Sequence, residues 1–146
     1  MKEGQIELKF YDLDEIEEEL LTRVVIVSKY QDKWIFVKQK EKETWEIPGG
    51  KIEPGETPLE TVKRELYEEI GATKFEVEAV CLYSISKPAK LFYAEIHEII
   101  DLPESEIEKY ELFDNLPENL TYPDTHDKMF DKVTDHIKET NKKAIS

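Results

Sequence analysis

The stretch from Thr57 to Gly71, TPLETVKRELYEEIG, constrains the fold more than any other part of the chain. Thr57 can cap a helix, Pro58 suits its first position, and Glu60 stands three residues on, where a capping box needs it. Gly71 can end the helix in a left-handed conformation. Leu59, Val62, Leu66 and Ile70 recur at helical spacing and gather on one side, so the helix requires an apolar surface to lie on. Glu65 and Glu69 border that stripe, and Glu68 lies farther round the same flank.

The surface can come from strands. RVVIVSKY and KWIFVKQ are β-rich runs separated at YQDK, a pattern compatible with a hairpin. FEVEAVCLYSI and KLFYAEIHEII follow the helix and predict two more strands joined around SKPAK. In the second, Leu91, Tyr93, Glu95 and His97 alternate with Phe92, Ala94 and Ile96, giving unequal faces. The acidic DLPESEIEKYE breaks this rhythm, and ELFDNLP predicts a short strand and turn. DTHDKMFDKVTDHIKET then predicts a helix, with Met129, Phe130, Val133 and Ile137 on one face. The final NKKAIS reads as a frayed tail. The N-terminal part through LDEIEEELLT is open between strand, loop and brief helix. Neither an internal repeat nor a low-complexity linker is present.

At 146 residues, with 39% apolar side chains, the chain fits one α/β domain with a real core. Its formal charge of −14 opposes nonspecific attraction to nucleic acid or to an anionic bilayer. A polyphosphate ligand would need local Lys or Arg, or a divalent cation. Cys81 is the one cysteine and cannot form an intrachain disulfide, and no N-terminal run resembles a signal sequence or a membrane span. Cytoplasm is the default location.

Carboxylates at i, i+3 and i+4 repel unless they are solvated, protonated or bridged by a cation. Hard oxygens suit Mg2+ or Mn2+. Spacing alone favours a solvated charged face, because acids are abundant throughout this chain. The wider order is more specific. From Gly50 the sequence runs through Glu56, Arg64, Glu65, Leu66, Glu68, Glu69, Gly71 and Ala72. It thereby resembles the Nudix hydrolase signature of glycine, five residues, Glu, seven residues, then Arg-Glu-apolar-any-Glu-Glu-any-Gly-apolar. Ala72 is smaller than the usual closing aliphatic. WEIPGG before it is similar to the loop that leads into the signature, and the resemblance extends from about Arg23 to Pro117.

The resemblance implies a Nudix-type α/β/α sandwich with a mixed β-sheet and a loop-helix-loop catalytic motif. It implies Glu65, Glu68 and Glu69 as divalent-metal carboxylates and catalytic residues, with the Gly50 carbonyl completing coordination of Mg2+, or Mn2+ in its place. Gly50, Glu56, Arg64 and Gly71 would be structural, Glu56 and Arg64 as an ion pair holding the loop against the helix. The activity implied is hydrolysis of a nucleoside diphosphate linked to a group X. Modest length and short connections favour the MutT-like branch, converting a nucleoside triphosphate to monophosphate and pyrophosphate, with 8-oxo-dGTP as a subsidiary candidate. The alternatives are a dinucleoside polyphosphate or nucleotide-sugar hydrolase and a noncatalytic nucleotide-binding module. No long nucleic acid and no membrane is expected as partner, and a symmetric homodimer is the common default.

Beyond the signature the candidates are individually weaker. Glu65 could serve as general base, as could Glu95, Glu98 or an acid of PESEIEKYE. Lys51, Arg23, Lys38 and Lys40 could bind phosphate, Lys51 having the best context, although each is ordinary as a solvated cation. Trp45 reads as a packing anchor, and Tyr83 and Phe92 as core or cleft residues. His97, His126 and His136 form no compact zinc pattern. The TYPDTHDK segment around His126 could line a cleft and contribute to base recognition.

Overall fold

The computed structural model describes residues 7–100 and 107–145. Seven strands form one mixed sheet: β1 (Lys9–Tyr11), β2 (Arg23–Tyr30), β3 (Lys33–Gln39), β4 (Gly49–Lys51), β5 (Ala72–Ile85), β6 (Lys87–Ile99) and β7 (Ile107–Phe113). Their order is β1-β5-β6-β2-β3-β7, with β4 paired to β2. Helix α1 (Pro58–Ile70) covers one face and α2 (Pro123–Ile145) the other. This is the α/β/α arrangement that the resemblance implied. Among the described residues no helix is long and apolar enough to cross a membrane.

Helix α1 follows its boundary signals. Thr57 accepts from the Glu60 amide while the Glu60 carboxylate accepts from the Thr57 amide, completing the capping box. Gly71 closes the helix at φ 74°, a conformation open to glycine at little cost. Val62, Leu66 and Ile70 are fully buried against Val24, Ile26, Ile35, Val37, Phe92 and Ala94. Leu59, counted in the stripe from sequence, is instead 45% exposed, and Pro58 is buried in its place. On the opposite face, Met129 and Val133 of α2 pack on Val25, Val27, Phe36, Tyr83 and Leu91.

The strand readings hold in the middle of the chain and shift at its edges. Gln31 and Asp32, both at positive φ, make the tight turn of the β2–β3 hairpin. β7 starts within the acidic stretch, earlier than the ELFDNLP reading placed it. It pairs with β3 as an edge strand, where Tyr110 and Leu112 pack inward while Lys109 and Glu111 pair outside. Residues 101–106, including part of the PESEIEKYE group of candidate bases, lie outside the described residues. The open N-terminal segment supplies β1, paired to β5, and a single 3-10 turn at Glu18–Leu20. Helix α2 runs through Ile145, taking in most of the NKKAIS segment, since NKKAI contains no helix breaker.

One irregularity positions everything that follows. β2 pairs with β3 only through Ser28–Tyr30, while its beginning, Arg23–Val25, pairs with β4. The chain therefore splays β3 away from β2 and inserts Gly49–Lys51 into the gap. Glu46 bridges back to Val37 by two backbone hydrogen bonds of 2.9 Å. The split opens a cleft at one end of the sheet.

Candidate functional site

A cavity of about 680 Å3 occupies this split, within the range of small-ligand sites. Arg23 and Lys51, directly paired across β2 and β4, stand on its wall with Lys87, and Glu46 and Glu69 also line it. Tyr83, Tyr122, His126 and Met129 supply a more apolar side. None of Arg23, Lys51 or Lys87 forms an ion pair among the described residues. Lys38, which approaches Glu43 at 3.9 Å, and Lys40 do not line the cavity.

Arg64 is the hub of the motif. Its Nε and Nη2 donate to both oxygens of Glu56 at 2.6 and 3.0 Å, a bidentate pair, and Nη2 also donates to the Lys51 carbonyl at 3.0 Å. Nη1 donates to Glu65 at 2.8 Å and Glu68 at 3.0 Å. One planar cation thus ties the loop to the helix and fixes two further acids. The Arg64 hydrogen bonds hold the Glu56 carboxyl down to about 2, helped by the Glu53 amide. Thr61 adds a third donor to Glu56 at 2.9 Å.

Glu65 lies directly over Gly50. A Cβ at Gly50 would stand 2.3 Å from Glu65 Oε1, so the missing side chain makes the space that this carboxylate fills. Glu69 is buried at 8% exposure; its Oε1 accepts from the Gly49 amide at 3.3 Å, while Oε2 has no partner. Burial pushes the Glu69 carboxyl well above the usual range, reinforced by the neighbouring Glu65 carboxylate and by the charge of Glu46. Among the described residues, no three His, Cys, Asp or Glu groups are already drawn together for a metal. Arg64 engages Glu65 and Glu68, while Glu69 is the motif acid that lines the cavity and keeps a shielded oxygen without a hydrogen-bond donor.

The other candidates separate by location. Glu95 accepts from the Tyr93 hydroxyl, and Glu98 accepts from Thr73 at 2.6 Å; neither lines the cavity. Trp45 packs edge-on against Phe113 at 5.1 Å between ring centroids, Phe92 is core, and Tyr83 is both buried and on the cavity wall. His97 pairs with Glu76 and His136 with Glu78, both away from the cavity, and burial pushes the Cys81 thiol up to about 11. His126, in the first turn of α2, accepts the Ile47 amide proton on Nδ1 at 3.2 Å, which places its own proton on Nε2. Burial, then the Arg23 charge, holds it down to about 4.

Sequence reasoning missed Glu46, Gln39 and Lys87. Glu46 had a usable signal, being a single acid between Trp45 and the apolar Ile47–Pro48 pair. Burial of its neighbours would carry it inside with them, and buried charge demands a reason.

Comparison with known proteins places these features in context. Residues 19–133 match the NUDIX domain. An RNA pyrophosphohydrolase from Francisella philomiragia is 36% identical over 56 residues, which is 38% of this chain and 36% of that relative. The chain thus spans about a third of the length of the curated relatives it matches. Among solved structures, a Bacillus subtilis pyrophosphohydrolase superposes with a TM-score of 0.77 at 21% identity, covering 90% of this chain and 92% of that one. A UDP-X diphosphatase superposes at 0.66 with 22% identity, covering 81% and 63%. At these identities the structural matches speak for the fold.

Proposed function

The chain belongs to the Nudix hydrolase family, and from that membership we propose that it hydrolyses a phosphoanhydride bond in a nucleoside diphosphate derivative. The preferred substrate is a nucleoside 5′-triphosphate, split to nucleoside monophosphate and pyrophosphate. One observation carries this reading: three cations without ion-pair partners among the described residues, Arg23, Lys51 and Lys87, share a cavity with the buried acids Glu46 and Glu69. In a chain of net charge −14, such cations favour an anionic ligand.

A divalent metal fits the residues present. The open oxygen of buried Glu69 lacks a partner, the Gly50 gap admits Glu65, and the donors are hard oxygens. Glu65, Glu68 and Glu69, with the Gly50 carbonyl, would hold Mg2+ or Mn2+. A bound divalent ion supplies charge neutralisation for the polyphosphate and activation of water. The chain's own groups do the rest. Arg23, Lys51 and Lys87 orient the phosphates, and Glu69, whose burial favours the neutral acid, must be ionised to act as a ligand. Tyr83, Tyr122 and Met129 offer apolar surface to the base, and His126 presents its Nε2 proton as a fixed donor there.

A second reading keeps the chemistry and changes the carrier: the triphosphate at the 5′ end of an RNA. Similarity to proteins named RNA pyrophosphohydrolase favours it, while the acidic net charge opposes contact with a long backbone. Incubation with Mg2+ and nucleoside triphosphates, 8-oxo-dGTP, triphosphorylated RNA, dinucleoside polyphosphates and nucleotide sugars, with products resolved by mass, separates these substrates. We expect metal-dependent pyrophosphate release from a triphosphate, reduced by at least about 100-fold in Glu69→Gln. Nucleotide binding without turnover across the panel would support a binding module instead.

A further inference from the structure

We propose that Glu46 is a further ligand for the divalent cation, delivered to it from the loop ahead of the motif. The inference shares the cation site of the proposed function, but its test requires no turnover. Glu46 is 8% exposed. Its Oε1 accepts from Gln39 Nε2 at 3.2 Å, whereas Oε2 is shielded from solvent and accepts no hydrogen bond. The nearest cation, Lys42, stands 3.7 Å from Oε2, beyond hydrogen-bond length, with a largely solvated side chain at 43% exposure. Two backbone bonds to Val37 hold the main chain of Glu46 in place at the cavity wall.

Glu69 presents the complementary feature. It too is nine-tenths buried, keeps one oxygen engaged by a backbone amide, and leaves the other without a partner. Both residues line the same cavity from different walls, Glu69 from α1 and Glu46 from the strand bridge beside β3. They are close enough for the charge of Glu46 to act on Glu69. Two carboxylates that line one cavity, each with an oxygen shielded from solvent and without a hydrogen-bond donor, are costly unless a donor or a cation reaches them. A polyphosphate supplies no donor, and one hard cation can satisfy both oxygens at once. A cation held between them would also tie α1 to the strand that the split carries away from β2.

The test is Mn2+ titration of the nucleotide-free protein, followed by electron paramagnetic resonance of the free ion. Glu46→Gln is expected to weaken Mn2+ binding by about tenfold or more, and Glu98→Gln, remote from the cavity, to leave it unchanged. Glu46→Asp keeps the charge but shortens the reach, so a ligand role predicts weakening there also, whereas a merely electrostatic role does not. It also serves if Glu46→Gln fails to fold by circular dichroism. Unchanged affinity in Glu46→Asp would overturn the assignment, whether or not Glu46→Gln weakens binding. Weakened Mn2+ binding in the variants, with no hydrolysis by the parent, would keep Glu46 and remove the hydrolase reading. Hydrolysis by the parent with unchanged Mn2+ affinity in the variants would do the reverse.

Discussion

Gly49 and Gly50 are adjacent and look interchangeable in the sequence, yet the structure gives them different work. A Cβ on Gly49 would meet the Val24 carbonyl at 2.4 Å, a backbone atom inside the β2–β4 pairing that cannot yield. A Cβ on Gly50 would meet the far end of a flexible side chain, the Glu65 carboxylate. Gly49→Ala is therefore expected to cost about 2 kcal/mol of stability through overpacking. Gly50→Ala should leave stability within about 1 kcal/mol while displacing Glu65 and lowering metal-dependent turnover by tenfold or more, about 1.4 kcal/mol in barrier terms. Urea denaturation and steady-state kinetics on the two variants check the contrast, and equal losses of stability would contradict it. The sequence shows glycine at both positions; only the register of β4 on β2 shows why one serves the sheet and the other the acid.

At the scale of elements, α1 was the most legible part of the chain because its instructions are local. The cap at Thr57, the Glu60 return bond and the left-handed Gly71 act within a turn of the residues that encode them. Gly71→Ala should cost at least about 1 kcal/mol, since an alanine at φ 74° is strained, while nucleotide-free Mn2+ binding persists; chemical denaturation and titration measure the two. The strands β2, β3 and β6 were legible for a similar reason, their apolar runs being long and buried. β7 was less so. Tyr110 and Leu112 pack on one face and Phe113 on the other, too little alternation to stand out from flanking acids. The cavity was the least legible, because Glu46, Lys87 and His126 come from separate elements that meet only where β3 parts from β2.

For the whole molecule, acid stability is set by groups that titrate in different windows. The folded chain holds His126 neutral to about 4, while an unfolded chain protonates it near 6.5. As pH falls through that window the unfolded state takes up a proton that the folded state refuses, so stability falls, by up to about 3 kcal/mol. Glu56, held down to about 2, removes stability in a lower window as pH falls below 4.5. Glu69 acts oppositely: its raised carboxyl costs stability at neutral pH and is relieved on acidification. Urea titrations from pH 7 to 4 should show the stability gap between the parent and His126→Gln narrowing, because the variant lacks the imidazole term. A gap constant with pH would contradict the burial of a neutral ring. The parallel register of β2 on β6, Arg23 opposite Ala89, places the entire Gly50–Gly71 segment inside one loop of chain. That loop must close before the contacts across it repay the closure. A nascent chain that has left the ribosome only as far as Gly71 carries every acid of the motif but lacks β6, the neighbour that seats β2. Synthesis of the later half therefore times assembly of the cleft.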